Sequence, residues 1–167
     1  AGGSIGGTDH VTAALLAKAV GLPPTKVNYL PYTSGAEVVT SLASGQAKIG
    51  ISGISELKNF ADQGRIRLIA VSSEKRLPGI DVPTLKESGF DVVIGNWRGI
   101  IGPPGMSQAG REMWLQRYAK LHATPEWKKT LADNGWDDAY LAGDDFAAFL
   151  EKEKARQAEV LKSVGLV

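Results

Sequence analysis

The 167-residue chain contains no cysteine, and only two histidines are present. The lack of cysteine excludes disulfides and thiolate metal sites. The two histidines, His10 and His122, do not form the H-x-x-x-H spacing of a histidine zinc site. We therefore expect neither a metal nor a cofactor.

Neither sign of charge is in excess, since 19 basic residues face 18 acidic ones and leave a net charge of +1. The charges are interspersed, so a nucleic acid partner is not expected. No stretch reaches the roughly 20 apolar residues that span a bilayer, and the N-terminus lacks the layout of a signal peptide. The chain begins inside a loop motif at Ala1-Gly2-Gly3, and we expect it to be a piece of a longer protein.

Helical and strand patterns alternate along the first half. Helices are predicted over residues 11–20, 37–43 and 56–63, each followed by a glycine, with Thr8 or Asp9 as the first N-cap. Four short apolar runs predict strands, at residues 27–32, 49–51, 66–71 and 91–94. This alternation predicts an α/β fold with a mainly parallel sheet flanked by helices, in which ligands bind at the carboxyl ends of strands.

The second half is predicted to be mostly helical. A short helix is expected near residues 84–88, an extended segment at 96–102, and longer helices at 107–122, at 126–133 and from Asp144 onward. We place a domain boundary near Asn96, which divides the chain into residues 1–95 and 96–167. Three tryptophans of the helical part are expected in the core: Trp114, Trp127 and Trp136. Trp97 is expected either to line a cleft or to plug the core.

The opening loop, AGGSIGGTDH, matches neither common nucleotide motif. The spacing of its glycines differs from G-x-G-x-x-G, and Thr8 stands where a P-loop needs lysine. Inward-turned amides at a helix N-terminus stabilise a carboxylate or phosphate, with Ser4, Thr8 and His10 as further donors. The absence of lysine and arginine from the loop favours a carboxylate. The plain alternative is a glycine-rich turn with a capping threonine.

Catalytic motifs are incomplete. Ser52 lies in a G-x-S-G stretch, whose second glycine comes one residue too early for a nucleophile elbow. Asp9 and His10 are adjacent, so on a helix their side chains point about 100° apart and do not form a dyad. We expect no enzyme, although an α/β enzyme using the glycine loop as an oxyanion or phosphate cradle stays open as the alternative.

Several segments together resemble one family: GGSIGGTDH, VNYLPYTSGAEVVTSLASGQ, ISGISEL, VPTLKE and NWRGI. They resemble the extracytoplasmic solute receptors of tripartite tricarboxylate transporters, the TctC or Bug family of periplasmic binding proteins. The resemblance implies a type II periplasmic-binding-protein fold, with residues 1–95 as the second α/β lobe and residues 96–167 as a return segment completing a first lobe that is otherwise missing.

The same resemblance implies a function and a site. A receptor of this family would capture a small carboxylic acid in the periplasm and deliver it to membrane permease subunits. Because half of the fold is missing, the fragment could form a dimer through its apolar faces. The residues implied to line the ligand cleft come from three turns: Ser4, Gly6, Gly7, Thr8, His10, Thr33, Ser34, Gly35, Ser52 and Ser55.

Overall fold

The computed structural model describes residues 1–167 and contains six α-helices. The helices are α1 Thr8–Ala19, α2 Gly35–Ala43, α3 Ile54–Asp62, α4 Gln108–His122, α5 Pro125–Asp133 and α6 Gly143–Ser163, with a 3-10 turn at Pro24–Lys26. The chain divides into two compact units. The first unit comprises residues 1–96 and 155–167, and the second comprises residues 97–154.

The six longer predicted helices are confirmed, with starts that shift by one to three residues. Helix α1 begins at Thr8 after an N-cap at Gly7, and no side chain caps it, so the prediction of Thr8 or Asp9 as N-cap is wrong. Ser34 caps α2 by accepting a hydrogen bond from the Glu37 amide. The two aspartates predicted to start α6 lie in its first turn.

The predicted strands are wrong as continuous strands. The structure contains only two isolated parallel bridges, Gly2 with Pro31 and Val71 with Thr84. A continuous strand needs hydrogen bonds to a neighbouring strand along its length. Residues 30–32 and 49–51 both pair only with the two-residue segment Ala1–Gly2, which is too short for this. The pairing is parallel, as predicted, but it involves far fewer residues than a continuous sheet would.

The core of the first unit lies between α1, residues 92–94 and the end of α6. Val11, Ala14, Ile94 and Val160 form a buried cluster, against which Leu15 and Val164 pack. Helix α2 contributes a second buried pair, Val38 and Val39, from the side opposite its exposed residues. Helices α1 and α2 thus pack through the apolar side chains along their length, and these contacts do not involve their first residues.

The segment after residue 71 is held by side chains rather than by a helix. The predicted helix at 84–88 is a single turn, in which the Ser88 amide donates to the Thr84 carbonyl over 3.1 Å. Thr84 is 1% exposed, and its hydroxyl accepts from the Glu87 amide. The Glu87 carboxylate accepts from the Thr84 amide and from the Arg76 guanidinium. Thr84 and Glu87 of the VPTLKE segment are therefore accounted for by the hydrogen bonds that hold this turn together.

The second unit contains a small aromatic cluster around Trp97, which is 40% exposed, so the prediction that Trp97 plugs the core is wrong. Trp97 packs edge-on against Phe146 and Phe149, and its indole N–H donates to Glu153. A Cβ on Gly99 would lie 2.5 Å from the Phe146 ring, so a side chain at this point of the NWRGI segment would displace that ring. Ser107 and Thr124 cap α4 and α5 through their side chains.

None of the three tryptophans predicted to lie in the core is buried: Trp127 is only partly buried, and the other two are exposed. Trp114 is 42% exposed and Trp136 is 41% exposed. Their rings are covered locally, Trp114 by Tyr118 and the Arg117 guanidinium of its own helix, and Trp136 by the Arg98 guanidinium. Helical periodicity identifies an apolar face, and these contacts show that the face is shielded by neighbours rather than buried in a core.

Candidate functional site

Three parallel segments of the first unit end side by side. Ala1–Gly2 lies between residues 30–32 and residues 49–51 and bonds to both in the parallel pattern. The four hydrogen bonds are Gly2 N–H to Leu30 O at 3.2 Å, Tyr32 N–H to Gly2 O at 2.8 Å, Ala1 N–H to Ile49 O at 2.7 Å and Ile51 N–H to Ala1 O at 2.8 Å. Each segment then turns into a helix, so the N-termini of α1, α2 and α3 meet at one edge.

The first turn is the glycine loop, and several of its amides are already satisfied. The Gly6 amide donates to Nδ1 of His10 at 3.1 Å, and Gly6 adopts a φ of 78°, which a residue with a side chain rarely adopts. The Gly7 amide donates to the Ser4 carbonyl at 2.9 Å. Gly6 and Gly7 therefore shape the loop.

The amides available at this turn belong to the first turn of α1. The N–H groups of Thr8, Asp9 and His10 have no acceptor in the chain, as expected for a helix whose N-cap has no side chain. The positive end of the helix dipole reinforces them. Ser4 is exposed and Thr8 is half-buried.

His10 is held in one tautomer. Because Nδ1 accepts the Gly6 amide, the neutral ring carries its proton on Nε2. The ring stacks on Tyr29 with centroids 4.3 Å apart. Partial burial lowers the pKa of His10 below its usual 6.5. At neutral pH, His10 is thus an uncharged ring with one N–H donor.

The second turn precedes α2 and contains Thr33, Ser34 and Gly35. The Glu37 carboxylate accepts from the Thr33 amide at 2.8 Å and from its hydroxyl at 2.9 Å, and the Thr33 amide is the main reason that the pKa of Glu37 is lowered. Gly35 is buried, and a Cβ there would lie 2.7 Å from Cβ of Glu56. This glycine allows α2 and α3 to approach each other closely.

The third turn precedes α3 and contains Ser52 and Ser55. The Ser52 hydroxyl donates a hydrogen bond to the Glu56 carboxylate. Ser55 is exposed in the first turn of α3, where its hydroxyl has no partner in the chain. Of the predicted hydroxyl groups, Thr33 and Ser52 already donate to carboxylates, whereas Ser4, Thr8 and Ser55 do not.

Two residues outside the predicted ligand-binding set, Asp9 and Tyr29, complete the site. The Asp9 carboxylate accepts from the Gly3 amide at 2.8 Å, and the Tyr29 hydroxyl donates to the Gly3 carbonyl at 2.8 Å. Burial raises the pKa of Asp9, and the nearby Glu56 raises it further. Burial and the Asp9 charge raise the pKa of Tyr29. No sequence spacing links Gly3 to Tyr29, so only the fold reveals this contact.

The three turns carry no positively charged side chain. No lysine or arginine occurs in residues 1–10, 29–37 or 51–56. The donors are helix amides, hydroxyl groups and the neutral His10 ring, and the neighbouring charges are the carboxylates of Asp9, Glu37 and Glu56. No group of three or more acidic or histidine side chains is arranged to hold a metal ion. The helices of this chain are all too short or too polar to cross a membrane.

Comparison with known proteins assigns the family. The family model for the tripartite tricarboxylate transporter family receptor, TctC, matches residues 1–166. The chain belongs to this family, which is a family of solute-binding receptors rather than of enzymes, and the resemblance noted in the sequence is confirmed.

Individual relatives agree. The UPF0065 protein in the gbd 5' region of Cupriavidus necator is 24% identical over 160 residues, which are 95% of this chain and 48% of that protein. The chain spans about half the length of the curated relatives it matches.

Solved structures show the same fold. A TctC solute-binding protein from Polaromonas, solved without ligand, is 27% identical and superposes with a TM-score of 0.77 over 96% of this chain and 56% of that one. An R. palustris protein solved with adipate is 24% identical and superposes with a TM-score of 0.79 over 98% of this chain and 55% of that one. The chain therefore has the periplasmic-binding fold of TctC receptors over the part that it spans, about half of those chains. Within this part, isolated bridges are present instead of the continuous sheet that the sequence predicted.

Proposed function

We propose that this chain is the part of an extracytoplasmic receptor that holds one carboxylate of a small organic acid, a di- or tricarboxylate or a related acid. The observation that carries the proposal is the convergence of three helix N-termini at the carboxyl edge of three parallel segments. Amides at such ends bind anions because the helix dipole and the free N–H groups act together. Membership of a receptor family supports it.

The ligand carboxylate would accept hydrogen bonds from the first-turn amides of α1 and from nearby hydroxyl groups. Ser4, Thr8 and Ser55 would donate directly, and His10 would donate through Nε2. Thr33, Ser34 and Ser52 would shape the cleft, since their side chains already cap or contact Glu37 and Glu56. Gly6, Gly7 and Gly35 would provide the turns and the close approach.

The rest of the receptor would supply the remaining contacts. We propose that residues 1–95 are the second α/β lobe and that residues 96–167 complete the first lobe of a longer, periplasmic protein that passes its ligand to membrane permease subunits. Ile100 and Ile101 are 66% and 74% exposed, which suits apolar residues that other parts of such a protein cover. In the isolated chain, a dimer would cover them.

Calorimetry on this chain and on a receptor containing both lobes tests the proposal. Adipate is the first acid to try, because a protein of the same fold was solved with it; succinate, citrate and an aromatic acid complete the panel. Saturable binding of at least one acid without product supports a receptor. Turnover of an ester or nucleotide, with no binding of any acid, would contradict it and favour an enzyme.

A further inference from the structure

Gly3 connects the central parallel segment to the glycine loop, and side chains from outside the loop hold both of its backbone polar groups. Its N–H donates to the Asp9 carboxylate at 2.8 Å, and its C=O accepts from the Tyr29 hydroxyl at 2.8 Å. Asp9 comes from the first turn of α1, and Tyr29 comes from the segment before α2. The two side chains thus tie the loop to both neighbouring elements.

The neighbouring glycine makes room for this arrangement. A Cβ on Gly2 would lie 2.5 Å from the Tyr29 hydroxyl oxygen and 2.8 Å from Cβ of Asp9. Any side chain at that position would therefore push Tyr29 and Asp9 away from Gly3. The absence of a side chain at Gly2 is therefore what allows Asp9 and Tyr29 to reach the Gly3 peptide.

The Gly3 contacts bear directly on the amides of the candidate site. Glycine has the widest choice of backbone conformations, so an unrestrained Gly3 would let the loop and the start of α1 take many orientations. Asp9 supplies one of the free first-turn amides and also the carboxylate that fixes Gly3. The position of the amide donors is therefore coupled to the Gly3 peptide through one residue.

We infer that Asp9 and Tyr29 are positioning residues, which fix the Gly3 peptide and thereby hold the first-turn amides of α1 where they bind a ligand carboxylate. The inference rests on the proposed function. Neither side chain donates to the ligand in this account: the Tyr29 hydroxyl proton is used on Gly3, and the Asp9 carboxylate is an acceptor. Their effect on affinity comes from preorganisation of the loop.

The test uses ¹⁵N-labelled chain, in which amide exchange and ligand titration are read from the same spectra. The variants are Asp9→Ala, which removes the acceptor; Asp9→Asn, which keeps an acceptor oxygen without the charge; and Tyr29→Phe, which keeps the ring that stacks on His10. Asp62→Ala and Tyr118→Phe are matched controls, since Asp62 pairs with Lys58 and Tyr118 stacks on Trp114.

We expect Asp9→Ala and Tyr29→Phe to speed exchange of the Gly3 amide or the loop amides about tenfold and to raise the Kd for adipate about 3- to 10-fold, the net effect of one hydrogen bond. Asp9→Asn should restore most of both properties, because the amide oxygen still accepts from Gly3. The two controls should change neither. The double variant should lose less than the product of the single losses, because both act on one peptide.

Three results would overturn the inference. Faster loop exchange with unchanged affinity would show that loop geometry does not matter for binding. Equal losses of affinity for Asp9→Ala and Asp9→Asn would show that the charge, rather than the acceptor, matters. Unchanged exchange in Asp9→Ala and Tyr29→Phe would show that they do not fix the loop. A wild-type chain that binds no acid contradicts the proposed function, and the exchange experiment still decides whether Asp9 and Tyr29 order the loop.

Discussion

We expect substitution of Thr8 to weaken ligand binding while leaving the stability of the chain nearly unchanged. Helix α1 begins at Thr8, its N-cap is Gly7, and no side chain caps it. The substitution Thr8→Ala therefore removes no capping hydrogen bond, and the Thr8 carbonyl still accepts from the Thr12 hydroxyl at 2.8 Å. We expect the free energy of unfolding to change by less than about 0.5 kcal/mol, as for most substitutions away from buried or capping positions.

The effect on binding should be larger. If the Thr8 hydroxyl donates to a ligand carboxylate, its loss costs about 1–2 kcal/mol, the range for a hydrogen bond to a neutral or charged acceptor. The Kd should then rise about 5- to 30-fold. Urea unfolding measures the free energy of unfolding. Titration with adipate, in the chain or in a two-lobed receptor, measures the Kd.

Two capping residues provide the comparison. Ser34 accepts from the Glu37 amide at 3.3 Å and also lies in the candidate site, so Ser34→Ala should lower stability by about 1 kcal/mol and weaken binding as well. Thr124 accepts from the Trp127 amide at 3.2 Å in the second unit, so Thr124→Ala should lower stability alone. An unchanged affinity in Thr8→Ala refutes the role given to its hydroxyl, and a stability loss equal to that of Ser34→Ala refutes the position of the helix start.

Three further outcomes follow from burial and from the pKa shifts. Val11 is 1% exposed in the main cluster, so Val11→Ala should cost about 2 kcal/mol of unfolding free energy, and a cost below about 0.5 kcal/mol would contradict that packing. The pKa of His10 is lower in the folded chain than its usual 6.5, so the contribution of His10 to stability is lost as the pH falls from about 6.5 through the folded value. His10→Gln should therefore flatten this part of the pH–stability curve. An unchanged curve would show that His10 does not cause this pH dependence. The pKa of Glu37 is lowered from 4.5, so its contribution is present above 4.5 and lost at lower pH; Glu37→Gln should remove that loss, and a loss that persists in the variant would assign it elsewhere.

The helices were predictable because their signals are local. Glycines in the left-handed region end α1, α2, α3 and α5, with φ between 61° and 75° at Gly21, Gly45, Gly64 and Gly135. Such a residue stops a helix whatever surrounds it. The N-cap of α1 was missed because Gly7 caps without a side chain, and the capping preferences of Thr8 and Asp9 carry no information about where the loop ends.

The pairing of strands could not be predicted from local signals as the helices could. An apolar run such as residues 66–71 indicates burial on both sides, but a strand also needs a partner, and here only Val71 is bridged, to Thr84. The same limit applies to the site. The three turns could be recognised from their small and hydroxyl residues, whereas the contact of Gly3 with Asp9 and Tyr29 depends on which segments lie side by side.

We propose above that the first-turn amides at the meeting point of α1, α2 and α3 bind a carboxylate. The most direct measurement is a titration of the ¹⁵N-labelled chain with adipate, following every backbone amide. We expect the largest shifts at residues 8–10, smaller ones at residues 35–36 and 54–56, and a Kd in the millimolar range, about 4 kcal/mol, since the chain alone provides part of the contacts. Shifts confined to other regions, such as the open groove lined by Lys58, Arg67 and Asp81, or micromolar binding by the chain alone, would contradict the account.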